Sequence, residues 1–228
     1  KFISIDEQLK KAKIFLAKGD VIGAENCFQS ILNKYPKNIR ALEGLKKIRQ
    51  NSSPVEVNFN QCVKKLIEYY NTGKYSELIL FGEKVVLQFP EKVIIKNIIG
   101  AGYTALKQFS NAINHYKAAL KLEPKNAEVL NNLGLTFKAI GNFKKANKCF
   151  ENSISIKPNF AEAFNNMALS LKEERKFEKA IISLEKAIAL KNNYAEAYYN
   201  LGNVYNLLGE LEKSINMFTR AIDIKSDY

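Results

Sequence analysis

The chain has 228 residues, 46% of them hydrophobic and 25% charged, with a formal net charge of +12. That length and balance suit one or two globular domains able to bury a substantial core. No apolar run approaches the roughly 18 residues a membrane helix needs, so no membrane span is expected and the cytoplasm is the expected compartment. The chain begins at Lys1 without an apolar signal core and reads as a piece of something longer.

In chain order, the first predicted element is an isolated helical hairpin over residues 5–38. A single further helix over residues 39–50 follows it, and together they form a first domain of residues 1–50. Asn51-Ser52-Ser53-Pro54 reads as a break, extended to a linker over residues 51–58. Beyond it the sequence repeats. Pro90, Pro124 and Pro158 stand 34 residues apart, and the segments between them share a pattern. Five blocks result: residues 59–92, 93–126, 127–160, 161–194 and 195–228.

Each block predicts two helices. Positions 4, 7, 8 and 11 fall on one helical face, as Leu130, Leu133, Gly134 and Phe137 do in the third block. Position 8 is small (Gly100, Gly134, Ala168, Gly202), which suits two helices in close approach. Gly73, Gly141 and Gly209 mark turns where glycine ends a helix in the left-handed region. The second helix carries a small residue at position 20 and a large one at 24 (Tyr116, Phe150, Leu184, Phe218), with proline or a polar substitute closing the block. Gly82 breaks the position-24 rule, so the 59–92 block is expected to pack more loosely.

This pattern resembles the tetratricopeptide repeat family, and the resemblance covers nearly the whole chain apart from the break. It implies an all-α fold, an α-solenoid of antiparallel helix hairpins stacked into a right-handed superhelix, with residues 1–50 as a degenerate hairpin plus a half-repeat helix. Position 4 is never the Trp common in the family, and Cys62 and Lys96 occupy it in two blocks. In such proteins the first helices line a concave groove with positions 2, 5, 6, 9, 12 and 13. Carried onto this sequence, position 2 contributes Glu128, Glu162 and Glu196. Position 5 contributes Asn97, Asn131, Asn165 and Tyr199. Position 6 contributes Asn132, Asn166 and Asn200, and position 9 contributes Asn203 in the last block.

A carboxamide both donates and accepts, so one asparagine per repeat can hold the backbone of an extended peptide whatever its side chains. The set Asn132, Asn166 and Asn200 is similar to the asparagine ladder inside the superhelix of O-GlcNAc transferases, while Ile98 and Lys64 interrupt it upstream. The competing reading is that these asparagines serve helix–helix contacts. A carboxylate clamp, which needs Lys or Arg at positions 2, 5 and 6, is excluded by pairs such as Asn97/Ala101 and Glu128/Asn132.

The positive charge is concentrated early, at +5 over residues 1–58, and fades to −2 over residues 195–228. Lysines such as Lys144, Lys145, Lys148, Lys176 and Lys179 fall on turns and second helices, the expected solvated side. No Lys/Arg stripe interleaves with aromatics, so no specific nucleic-acid partner is expected. Cys27, Cys62 and Cys149 are odd in number and widely spaced, which argues against disulfides and zinc. The single histidine, His115, has no second histidine or nearby cysteine to form a metal site or triad. No phosphate-binding, dinucleotide-binding or zinc-protease motif is present.

Neither an enzyme nor a cofactor is therefore expected. The expected function is a protein–protein interaction scaffold that binds a peptide or partner domain in its groove. Ile215, Phe218 and Ile222 on the last helix have no following helix to cover them, which makes self-association a further expectation. The alternative is a non-catalytic substrate-recognition or assembly segment of a larger bacterial enzyme, a glycosyltransferase or sulfotransferase.

Overall fold

A computed structural model describes residues 4–17, 21–51 and 59–225. Among the described residues there are thirteen α-helices and no strand. The chain divides into two compact units, Lys1–Asn58 and Phe59–Tyr228. The expected linker lies, apart from Asn51, outside the described residues.

The first unit holds α1 (Ile5–Ala17), α2 (Val21–Lys34) and α3 (Ile39–Asn51). A reciprocal cap opens α1: Ser4 Oγ accepts from the Glu7 amide at 3.2 Å, and Glu7 Oε2 accepts from the Ser4 amide at 2.9 Å. Asn38 Oδ1 caps α3 by accepting from the Ala41 amide at 3.0 Å. Leu9, Phe28, Ile31 and Leu45 form the core of this unit. Phe28 lies so close to Gly44 that a Cβ there would meet the ring at 2.4 Å.

The second unit is five hairpins. Its first helices are α4 (Phe59–Asn71), α6 (Val93–Ala105), α8 (Ala127–Ala139), α10 (Ala161–Glu173) and α12 (Ala195–Leu207). Its second helices are α5 (Tyr75–Gln88), α7 (Phe109–Leu122), α9 (Phe143–Ile156), α11 (Phe177–Leu190) and α13 (Leu211–Ile224). Every first helix has 13 residues and every second helix 14. The apolar face predicted for α8 is buried: Leu130, Leu133 and Phe137 are each under 10% exposed.

Small-against-large packing closes four of the hairpins. A Cβ on Gly100, Gly134 or Gly202 would stand 2.6–2.7 Å from the ring of Tyr116, Phe150 or Phe218. In the fourth repeat Ala168 and Leu184 are both buried. Burying a ring such as Phe150 stabilises by about 2–3 kcal/mol relative to leaving it exposed. In the first repeat the pair is reversed. Leu66 occupies the small position and is fully buried, while Gly82 occupies the large one, with Ile99 of the next repeat against it. The backbones of α4 and α5 approach less closely than those of any other hairpin in this unit, with Leu66 between them, and Leu66 and Ile99 fill the space beside Gly82.

Curvature follows from which helices touch. Successive first helices contact one another from α4 to α12, whereas successive second helices make no comparable contact among the described residues. The first helices therefore lie on the inner side of the array and the second helices splay on the outer side. No helix among the described residues is long and apolar enough to cross a membrane.

Candidate functional site

The inner face is built from one side of each first helix. Its asparagines are paired across repeats. Nδ2 of Asn132 donates to Oδ1 of Asn97 at 3.0 Å, Asn166 to Asn131 at 3.0 Å, and Asn200 to Asn165 at 2.9 Å. In the last three repeats position 6 thus reaches back to position 5 of the repeat before. Asn131, Asn165 and Asn200 are buried, while Asn97, Asn132, Asn166 and Asn203 are half-buried. These amides join neighbouring repeats. The pairing uses one donor of each position-6 amide and leaves its Oδ1 and second N–H for other partners.

The position-2 glutamates are exposed and belong to a repeated motif. Glu128 accepts from Lys157 Nζ at 2.7 Å, and Glu162 pairs with Lys191 at 3.6 Å. The same two lysines sit over the rings of Phe160 and Tyr194, at 4.5 and 4.7 Å. Each lysine ties the start of its repeat to the aromatic at its end. The Lys157 hydrogen bond holds the Glu128 carboxyl below its ordinary pKa. Glu196 instead accepts from Asn165 Nδ2 at 3.2 Å, a second bond across the junction that Asn200 and Asn165 already join. Deeper on the inner face, burial lowers the pKa of the Lys138 ammonium.

Tyr199 is placed differently from the other position-5 residues. Asn97, Asn131 and Asn165 each accept from the following repeat. Tyr199 lies 41% exposed, its ring 5.6 Å from that of Phe218. It stands in the last repeat, where no following repeat meets position 5. Ile215 and Ile222 share that end, at 65% and 48% exposure, where their counterparts Ile113, Leu120, Ile181 and Ile188 are half-buried against the next repeat.

The residues that hollow the inner face lie further upstream. Ile67 and Tyr70 of α4, Asn97, Ile98 and Ala101 of α6, and Asn132 of α8 surround a depression of about 290 Å³. Ile67 is 43% exposed and Tyr70 40%. Asn97 and Asn132 are expected from sequence. The others are at positions 6, 9 and 12, which the family pattern points inward but which carry no polar signature.

His115 has a partner that spacing does not reveal. Its Nε2 lies 3.0 Å from Glu83 Oε1, which also accepts from the Tyr103 hydroxyl at 3.0 Å, and the Tyr103 ring stacks on the imidazole. This is a packed polar contact that links α5, α6 and α7. Among the described residues no group of His, Cys, Asp and Glu side chains converges to hold a metal ion.

Hairpins in register, an inner face of first helices and amide pairs at the last three repeat junctions define an α-solenoid repeat protein. Family models described as TPR repeat match residues 100–141 and 171–209, and models described as tetratricopeptide repeat match 127–160 and 195–228. The chain belongs to the tetratricopeptide repeat family. No curated protein matches it in sequence.

Among solved structures it is similar to a crystal structure of MamA, at 22% identity and a TM-score of 0.60, covering 70% of this chain and 94% of that one. MamA 41-end from Desulfovibrio magneticus RS-1 is similar at 16% identity and a TM-score of 0.62, covering 74% and 96%. YrrB, described as a TPR protein with an unusual peptide-binding site, is similar at 18% identity and a TM-score of 0.56, covering 80% and 93%. At these identities the likeness shows the fold. Proteins of this kind are interaction scaffolds, and that coarse function is shared by this chain.

Proposed function

We propose that the inner face binds an extended peptide segment of a partner protein, with an apolar side chain seated in the hollow beside Ile67 and Tyr70. The hollow is the observation that carries this reading. It places two exposed apolar side chains next to an amide pair, Asn97 and Asn132, on three consecutive first helices. Apolar surface supplies the drive to bind, and the amides supply partners for a peptide backbone. Downstream, the remaining donor and acceptor capacity of Asn166, with Asn203 and the exposed Glu128, Glu162 and Glu196, continues the same polar face.

The test is a library of displayed unstructured peptides panned on the chain. Selected peptides should lose about tenfold or more in affinity for Ile67→Glu and for Ala101→Arg, which change a surface position without touching the buried core. Selected peptides that bind both variants as tightly as the parent chain would remove the inner face from consideration.

A further inference from the structure

The junction between the third and fourth repeats differs from its neighbours at three positions that meet in space. Position 21 is isoleucine in four repeats (Ile79, Ile113, Ile181, Ile215) and Asn147 here. Position 11 is aromatic in four repeats (Tyr69, Tyr103, Phe137, Tyr205) and Leu171 here. Position 14 is Leu106, Ile140 or Leu208 in three others and Glu174 here. Asn147 comes from α9, and Leu171 and Glu174 come from the end of α10. All three line one cleft of about 560 Å³, open between α9 and α11 on the outer side. The loss of an aromatic ring at position 11 leaves room that the other junctions fill.

The cleft is polar in a specific way. Asn147 is 9% exposed, and its Nδ2 donates to Glu174 Oε2 at 2.6 Å. Its Oδ1 is buried with no hydrogen-bond partner among the described residues. An uncompensated buried acceptor costs about 1–3 kcal/mol, so a donor brought to it is favoured. Lys144, Lys148, Lys176 and Lys179 rim the opening against two carboxylates, Glu151 and Glu174. Glu174 is taken up by Lys176 at 3.0 Å, and Lys148 stands 4.0 Å from Glu151. Lys144 and Lys179 make no ion pair among the described residues. The floor is apolar, with Met167, Leu171 and the 61% exposed Ile182.

We propose that this outer cleft is a second binding site, independent of the inner face, for an acidic peptide segment carrying one aromatic anchor. The anchor takes the space that Leu171 leaves, peptide carboxylates meet the lysine rim, and a peptide N–H or a tyrosine hydroxyl satisfies Asn147. A nucleic acid fits less well. Two carboxylates line the cleft, and the basic patch stops at this junction, since Glu178, Glu185 and Glu210 occupy the next one. A polyanion track would need it to continue. With both faces occupied, one chain would bring two partners together.

The test uses the full chain and a short fluorescent peptide of Asp and Glu around one central Phe, read by anisotropy at physiological salt. The Phe peptide should bind at least about tenfold more tightly than its Phe-to-Ala counterpart. The double reversal Lys144→Glu with Lys179→Glu should weaken it by about tenfold or more, whereas Lys84→Glu with Lys117→Glu, an equal change of net charge elsewhere on the second helices, should not. Leu171→Tyr restores the ring of the other repeats and should abolish binding while the thermal midpoint is kept. Absence of binding overturns the proposal. So does binding indifferent to the Phe, equal loss in both lysine pairs, or an oligothymidylate of matched charge that binds as well with the same lysine dependence.

Discussion

Position 15 of every repeat turns with a positive φ. Gly73, Gly141 and Gly209 hold it at 71–77°, but Lys107 and Arg175 hold it at 58°. Nothing lies within 4 Å of where a Cβ on the three glycines would be, so the constraint there is backbone conformation alone. A side chain in the left-handed region costs roughly 1–2 kcal/mol, partly offset because glycine loses more chain entropy on folding. Arg175→Gly should therefore raise stability by up to about 1 kcal/mol, and Gly141→Ala should lower it by about the same. Urea denaturation midpoints read both. The glycine turns are legible in the sequence because only glycine enters that region freely. Lys107 and Arg175 are not, since a cation there leaves no local mark and only the 34-residue register exposes it.

Between elements, the asparagine pairs join repeat to repeat. Asn165 is fully buried, accepts from Asn200 and donates to Glu196. Asn165→Ala strands the buried Asn200 amide and should cost about 1–3 kcal/mol. Asn200→Ala should add little on that background, so a double-mutant cycle by thermal or urea melting should show strong coupling, and additive losses would remove the pair as a unit. Asparagine at positions 5 and 6 is plain in the sequence. Which amide meets which is not, because the partners are 35 residues apart and their contact depends on how far one repeat is rotated on the next. The same limit hides the outer cleft. Asn147, Leu171 and Glu174 each read as isolated departures from the pattern, and their convergence is visible only once α9, α10 and α11 are stacked.

At the scale of the whole repeat unit, helix-period apolar spacing and the 34-residue repeat carry the solenoid almost completely, including the small-against-large hairpin packing. The exception is the first repeat, where Leu66 and Gly82 exchange sizes and a rule written position by position sees only the missing ring. The inner face is legible as a set of positions but not as a shape. Its hollow at Ile67, Tyr70 and Ala101 lies upstream of the asparagine-rich repeats, and Tyr199 lies at the end of the array.

Because first helices pack on their successors along the inner side while second helices splay on the outer side, a peptide held by the inner face must lie along α4, α6 and α8 without reaching α5, α7 or α9. Amide hydrogen exchange on the chain saturated with a peptide selected by panning is the direct measurement. Slower exchange confined to α4, α6 and α8, centred on the turns of helix that carry Ile67, Tyr70, Asn97 and Asn132, is the predicted result. Protection on the second helices, with the first helices unchanged, would contradict it.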